Sequence, residues 1–153
     1  MYHTISPYTI KQTLVTDCSF IASLCIAASY ERRFRKRVVT GIIYPQSSKG
    51  APLYNECGKY IVKMWLNGVA RRVIVDDRLP VDRNYNLICS HTTNNTYLEL
   101  WVSLLEKGQG VRVAKQRSGM APNSTRNVSV PKVISNVINT IFFATGFARH
   151  SVS

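Results

Sequence analysis

The apolar positions between residues 18 and 28 predict a helix that is buried on several sides. Only Ser19 and Ser23 interrupt the run of apolar side chains in this stretch. A helix that is apolar nearly all round is typical of a segment enclosed by other elements. We expect this helix to begin at Cys18, which directly follows Asp17.

The pattern becomes amphipathic over residues 29–38. An apolar stripe recurs there at four-residue intervals, at Tyr30, Phe34 and Val38. Glu31 and Arg35 have the i to i+4 spacing at which opposite charges pair on a helix, so we expect an ion pair on the outer face. The basic run from Arg32 to Arg37 indicates a solvated helix face, since no aromatic residue alternates with its charges.

Alternating apolar and polar positions predict a β-hairpin over residues 60–75. The apolar positions of its first strand are Tyr60, Val62, Met64 and Leu66. Asn67 and Gly68 then supply the pair of residues that a tight two-residue turn favours, because both adopt positive φ readily. Before the hairpin, residues 38–44 are β-prone, and residues 45–56 form a surface loop rich in Pro, Gly, Ser and Asn.

A second helix is predicted before residue 108. Thr96 and Glu99 have the spacing of a capping box, in which each side chain satisfies a backbone N–H at the start of a helix. The apolar stripe that follows is Leu98, Trp101, Val102 and Leu105. We expect this helix to end near Gly108, where the character of the sequence changes.

The chain of 153 residues is long enough for one small domain with a core, and its apolar fraction of 45% is ordinary for a globular protein. Its net charge of +12 is unevenly distributed. Residues 1–107 carry fourteen basic and eight acidic side chains, whereas residues 108–153 carry six basic and none that are acidic. This tail is irregular, and it is too polar to span a bilayer.

The four cysteines have no close pairing interval, which indicates neither a zinc site nor a disulfide framework. No charged leader with an apolar core opens the chain, so we expect a cytoplasmic protein with free thiols. Cys18 is the candidate nucleophile, because the unpaired amides and the dipole of a first helical turn favour thiolate over thiol. Cys25 and Cys89 are expected to be inert core residues. Of Asp76 and Asp77, at the end of a strand, one is expected to cap a turn and the other to pair with a nearby arginine such as Arg78 or Arg71.

Three segments occur in the order that is found in one family of proteases. They are Gln12–Cys18, with a glutamine six residues before the cysteine; Arg72–Pro80, with paired aspartates before leucine and proline; and Leu100–Lys107. Together they resemble the first half of the catalytic domain of the calpain family of cysteine proteases. The resemblance covers about residues 5 to 107.

The resemblance implies an α+β fold. Residues 1–107 would form the cysteine-bearing subdomain of a papain-like calpain core, mainly helical with a β-hairpin, and residues 108–153 would be a divergent basic tail outside the protease fold. It also implies that Cys18 attacks a peptide carbonyl, while the side-chain amide of Gln12 binds the developing oxyanion. The substrates would be proteins, and a second subdomain would be a partner. Calcium is implied by the family alone, since no specific ligand set is present.

The expected histidine and asparagine of a papain-like triad are not identified. His150 follows Cys18 by 132 residues, near the interval of papain-like enzymes, but its neighbours do not match the family. No asparagine followed by tryptophan comes after it. We therefore expect a truncated catalytic domain that carries the nucleophile and is inactive alone. The alternative is a non-enzymatic basic module that binds nucleic acid or another anionic partner, although we expect no nucleic acid because this account explains none of the three segments.

Overall fold

The computed structural model describes residues 5–13, 18–66, 69–93 and 99–118, with only the backbone described for Leu66 and residues 111–118. The main elements in this part of the chain are β1 (Ile10–Lys11), α1 (Cys18–Phe34), β2 (Ile43–Tyr44), β3 (Lys59–Leu66), β4 (Val69–Asp76), β5 (His91–Thr92) and α2 (Trp101–Ser118). Single 3₁₀ turns occupy Pro7–Thr9 and Thr40–Ile42. The expected mixture of helix and antiparallel sheet is confirmed at this level.

The larger sheet has the strand order β2-β3-β4, and β1 pairs with β5 in a second small sheet. All of these pairings are antiparallel. The hairpin of β3 and β4 confirms the prediction from alternation, while its turn at residues 67–68 lies outside the described residues. Every second residue faces inward, so Tyr60 opposite Val75 and Val62 opposite Val73 are all buried.

The core lies between the inner face of the hairpin and α2, and it extends to α1. Trp101, Leu104 and Leu105 of α2 are almost completely removed from solvent, as are Tyr60 and Ile43 of the sheet. The apolar residues of α1 in the same cluster are Phe20, Ile21, Leu24, Ala27 and Ala28. Burial of this apolar surface is the main contribution that holds the two helices to the sheet.

The predicted ion pair between Glu31 and Arg35 on an outer helix face is wrong. Helix α1 ends at Phe34, and Arg35 adopts a left-handed conformation with φ of 55°. Glu31 points inward, and its Oε2 accepts hydrogen bonds from the backbone N–H groups of Val38 and Val39 at 2.9 and 2.7 Å. The segment after α1 presents backbone donors that no helix satisfies, and the carboxylate binds them instead of a solvated arginine.

The predicted boundaries of the second helix are also wrong. Thr96 lies outside the described residues, but Glu99 and Leu100 are not helical, so the capping box does not form. Glu99 is buried, and its Oε2 accepts a hydrogen bond from Nε1 of Trp101 at 3.3 Å. Helix α2 therefore begins at Trp101, later than the local pattern indicated.

Helix α2 continues through Gly108 to Ser118. The glycine fits because α2 lies close to β3: a Cβ placed there would meet Cε of Met64 at 3.0 Å and Cβ of Val62 at 3.5 Å. Close packing outweighs the low helix propensity of glycine at this position. The predicted domain boundary after Lys107 stays a prediction, and residues 119–153 lie outside the described part of the chain.

The β-prone stretch of residues 38–44 forms only a short strand. It contains the 3₁₀ turn Thr40–Ile42 and then the two residues of β2. Ile43 pairs with Val62 of β3 and is fully buried. The loop predicted over residues 45–56 is confirmed, with one isolated bridge between Gln46 and Pro52.

Candidate active site

Cys18 is the first residue of α1, which confirms the predicted start of the helix. Its side chain is exposed, whereas Phe20 and Ile21, two and three residues further on, are buried in the core. The helix is therefore packed into the core, while the thiol of its first residue is exposed to solvent. Backbone N–H groups of a first helical turn have no intrahelical acceptor, so they are available to an anionic group formed at this end.

Gln12 is exposed and directly follows β1. The backbone on its N-terminal side is fixed by β1, in which Lys11 pairs with His91 of β5. On its other side, the hydroxyl of Thr13 donates a hydrogen bond to the carbonyl oxygen of Ile88. Both flanks of Gln12 are thus anchored to the segment that contains β5. Asp17 and the other residues of 14–17 lie outside the described chain.

A buried carboxylate that the sequence analysis did not single out supports this segment. Glu106 of α2 accepts hydrogen bonds from the backbone N–H of Ser90 at 2.6 Å and from its hydroxyl at 2.9 Å. The hydroxyl of Ser103 donates to the carbonyl oxygen of Ser90 at 2.8 Å. Ser90 immediately precedes β5, so α2 fixes the strand to which the Gln12 segment is anchored. The signal in the sequence was an acidic residue within the apolar run of α2.

The other cysteines differ from Cys18 in their surroundings. Cys25 is half-buried, with Sγ 3.9 Å from the carbonyl oxygen of Pro7, and its partial burial raises the pKa of the thiol. Burial likewise raises the pKa of Cys89. A raised pKa favours the neutral thiol in both residues, which agrees with the prediction that they are not nucleophiles. Cys57 is exposed on a turn, so it shares the accessibility of Cys18 without its place at a helix start.

His91 is the histidine within the described residues. It is half-buried on β5, and its Nδ1 lies 3.1 Å from the carbonyl oxygen of Cys89. His150 lies outside the described residues, so its candidacy as a general base stays a prediction.

Asp76 caps a turn, as predicted, by accepting a hydrogen bond from the backbone N–H of Arg78 at 3.2 Å. Asp76 also forms an ion pair with Lys107 of α2, whereas within the described residues no ion pair joins Asp77 to the predicted arginine. The hydrogen bond from Lys107 is the main cause that lowers the pKa of Asp76. Asp77 lies against Gly58, whose φ of +65° and missing side chain leave room for the carboxylate.

The described residues contain no group of three or more His, Cys, Asp or Glu side chains that could hold a metal ion. Among the helices of the described chain, none has the length and apolarity needed to cross a membrane. The arrangement of the site therefore consists of an exposed thiol at a helix start, an exposed carboxamide on an anchored strand end, and buried polar contacts that support the strand.

The chain is similar in sequence to proteins of one family. The family described as "Calpain family cysteine protease" matches residues 1–120. Calpain-7 of Homo sapiens is 61% identical over 107 residues, which are 70% of this chain and 13% of that protein. Calpain-7 of Mus musculus is 60% identical over the same shares of each chain. "Calpain-like protease palB/cpr-8" of Neurospora crassa is 38% identical over 64% of this chain and 10% of its own length.

The chain thus spans about 13% of the length of the calpain-7 proteins that it matches. The family match covers well over half of the 153 residues and includes both Gln12 and Cys18. This chain belongs to the calpain family of cysteine proteases.

Proposed function

We propose that Cys18 is the nucleophile of a calpain-type endopeptidase that acts on protein substrates, and that the Gln12 carboxamide is an oxyanion donor. The observation that carries the proposal is the position of Cys18, exposed at the first residue of a core-anchored helix. Membership of the calpain family supports the assignment of proteolysis over binding alone.

In the proposed reaction the Cys18 thiolate attacks the carbonyl carbon of the scissile peptide, and the carbonyl π electrons move to oxygen. The N–H of the Gln12 side chain and the backbone N–H of Cys18 would donate to this oxyanion. Collapse of the intermediate forms a thioester and breaks the C–N bond once the leaving nitrogen accepts a proton. Water then hydrolyses the thioester and releases the thiol.

The proton transfers need a general base, and neither His91 nor His150 has the sequence context of the family's histidine. Loss of the base in a catalytic triad commonly costs several orders of magnitude in turnover. We therefore expect no measurable turnover of an unfolded protein substrate by this 153-residue polypeptide alone. Turnover that stops in Cys18→Ala would contradict this expectation while supporting the nucleophile.

Two stoichiometric reactions test the nucleophile and the oxyanion donor separately. Alkylation by iodoacetamide requires a reactive thiolate but forms no oxyanion, whereas acylation by p-nitrophenyl acetate passes through a tetrahedral oxyanion. We expect Gln12→Ala to slow acylation of Cys18 by about tenfold or more and to leave its alkylation rate unchanged. Equal slowing of both reactions would show that Gln12 acts only through local structure.

Cys57 is the matched control, since it is also an exposed free thiol. At neutral pH we expect Cys18 to be alkylated faster than Cys57, measured by mass spectrometry of the labelled peptides. The difference is expected because Cys18 lies at a helix N-terminus and Cys57 lies on a turn. If Cys57 reacts as fast as Cys18 with both reagents, the proposed nucleophile is wrong.

A histidine-bearing second subdomain is the partner that this proposal requires. The exposed positions one and two turns after Cys18 are Ala22 and Ile26, and Ile26 is 68% exposed although it is a large apolar residue. An exposed apolar side chain on the helix face of the nucleophile suits a covering protein surface. Adding the histidine-bearing half of the human calpain-7 core should restore turnover, and Ile26→Glu should prevent this while Lys36→Glu does not. Full restoration of turnover with the Ile26→Glu variant would show that this helix face does not bind the second subdomain.

A further inference from the structure

The outer face of the larger sheet carries an exposed pattern that the protease site does not use. We define the outer sheet face by five residues: Tyr44, Ile61, Ile74, Lys63 and Arg72. Tyr44 pairs with Ile61 and Ile61 pairs with Ile74, so one apolar row crosses all three strands. Ile74 is 59% exposed and Tyr44 is 36% exposed, which leaves this row open to solvent.

The next row of the outer sheet face is cationic. Lys63 of β3 lies directly opposite Arg72 of β4, and both side chains are exposed. Like charges directly opposite each other on a sheet are destabilising. Within the described part of the chain, neither side chain has a carboxylate partner, because the ion pair found there joins Lys107 to Asp76.

Five of the chain's acidic residues are buried or have partners elsewhere. Of its eight acidic residues, Glu31, Glu99 and Glu106 are buried, and Asp76 is paired with Lys107. Asp82 accepts hydrogen bonds within its own turn, from Asn84 and Asn86. Residues 108–153 contain no Asp or Glu side chain, so they do not supply the missing charge.

We infer that the outer sheet face binds an extended acidic segment of a partner protein, with an apolar side chain two residues from a carboxylate. Residues two apart on a strand are separated by about 6.6 Å, which is also the spacing of alternate side chains in an extended peptide. The carboxylate would lie between Lys63 and Arg72, and the apolar side chain would pack on Ile61 and Ile74. This surface is independent of the proposed protease function.

Charge and shape favour this occupant over two others. A second copy of the chain would bring two cationic rows together across the interface, which charge repulsion opposes. A nucleic acid would supply phosphates, but it would leave the aliphatic side chains of Ile61 and Ile74, which form most of the apolar row, without an apolar partner. An acidic and partly apolar peptide supplies a carboxylate for the cationic row and an apolar side chain for the apolar row.

The test uses the full chain and a fluorescein-labelled peptide in which leucine, glutamate and leucine alternate with threonine. Fluorescence anisotropy at low salt should show saturable binding that weakens as salt is added. A matched peptide with lysine in place of glutamate should not bind. Lack of saturable binding to the glutamate peptide by the wild-type chain would overturn the inference.

The decisive variant is Lys63→Glu, because it should weaken binding and stabilise the fold together. The introduced carboxylate faces Arg72, so a repulsive cross-strand pair becomes attractive and the melting temperature should rise by about 2 °C. Peptide binding should weaken about tenfold, since the attraction at this position becomes a repulsion. Weaker binding therefore cannot result from unfolding.

Arg71→Glu is the matched control. Arg71 is next to Arg72 on β4, is also exposed, and has its side chain on the opposite face of the sheet. The change in net charge equals that of Lys63→Glu, so peptide affinity should stay within twofold of wild type. Equal loss in both variants would show a non-specific charge effect and would overturn the inference.

Two further measurements separate the other occupants. A labelled oligouridylate that binds the wild-type chain and not Lys63→Glu, when the glutamate peptide does not bind, would assign the face to nucleic acid instead. Sedimentation that shows a dimer of the wild-type chain, lost in Ile74→Ser, would assign it to self-association. Either result would contradict the inferred acidic peptide partner.

Discussion

The carboxylate of Glu31 binds one residue, Thr40, with both of its oxygens: Oε2 accepts the backbone N–H at 3.0 Å and Oε1 accepts the hydroxyl. The same Oε2 also accepts the N–H groups of Val38 and Val39. A buried side chain near the end of α1 therefore fixes the chain that leads into β2. The helix bearing Cys18 and the central sheet are joined through this carboxylate.

Removing the Glu31 carboxylate should strongly destabilise the fold. In Glu31→Ala the three buried N–H groups lose their acceptor, and we expect the free energy of unfolding to fall by about 3 kcal/mol or more. Glu31→Gln keeps one carbonyl oxygen as an acceptor, so it should lower the free energy of unfolding by less than Glu31→Ala does. Urea denaturation of the purified chain measures both values.

Arg35→Ala is the control for Glu31, since it tests the ion pair expected from sequence. Arg35 is exposed and faces no carboxylate in the described chain. Its replacement by alanine should change the stability by less than about 0.5 kcal/mol, as for most surface substitutions. A loss as large as that of Glu31→Ala would restore the i to i+4 pair as the main role of Glu31.

Two residues in a left-handed conformation should prefer glycine. Arg35 has φ of 55° and Tyr85 has φ of 63°, a region that costs residues with a Cβ about 1–2 kcal/mol. We expect Arg35→Gly and Tyr85→Gly each to raise the free energy of unfolding by about 0.5–1 kcal/mol, after the greater freedom of glycine in the unfolded chain is included. Urea denaturation measures the gain.

Alanine at the same two positions separates backbone conformation from side-chain loss. Tyr85 is 87% exposed, so removal of its ring alone should change little. Arg35→Ala and Tyr85→Ala retain a Cβ and should not show the gain. Equal stabilisation by alanine and glycine would mean that φ is not the cause.

The two glycines of α2 should respond differently to alanine. A Cβ at Gly110 would have no neighbour within 4 Å, so Gly110→Ala should stabilise the helix by about 1 kcal/mol. A Cβ at Gly108 would lie 3.0 Å from Cε of Met64, which must move to accept it. Gly108→Ala should therefore raise the stability of the fold by less than Gly110→Ala does. Thermal unfolding followed by circular dichroism compares them, and an equal gain would contradict the close approach of α2 to β3.

The pair between Asp76 and Lys107 should stabilise the fold at neutral pH and lose this contribution at low pH. Because the hydrogen bond from Lys107 lowers the pKa of Asp76 below its ordinary value of 3.8, the pair contributes fully above that pH. The contribution is lost as the pH falls through the lower pKa of the folded state. In Lys107→Gln, NMR titration should show the Asp76 pKa rising toward its ordinary value.

Asp82 is the control for this titration. Its pKa is lowered mainly by the backbone N–H of Asn86, within its own turn, and not by Lys107. It should therefore titrate identically in wild type and Lys107→Gln. A shift of both aspartates together would indicate a general change in the fold and not loss of one partner.

Much of the candidate site was predictable because its signals are local. The start of α1 follows from the apolar run that begins at Cys18, and the β3–β4 hairpin follows from strict alternation of side chains. Three ordered segments were enough to identify the calpain family. Each of these features depends on residues that are near one another in the chain.

Only the tertiary structure decided where buried polar groups find their partners and where α2 ends. Glu31 binds the backbone of residues 38–40, although its spacing from Arg35 indicated a surface ion pair, and Glu106 binds Ser90, sixteen positions away. Gly108 stays helical because β3 lies against it. By itself the sequence determined the periodic elements and the place of Cys18 at the start of α1, since backbone geometry fixes those periods. The burial of a carboxylate and the length of a helix depend on contacts between distant segments, which form only when the chain folds.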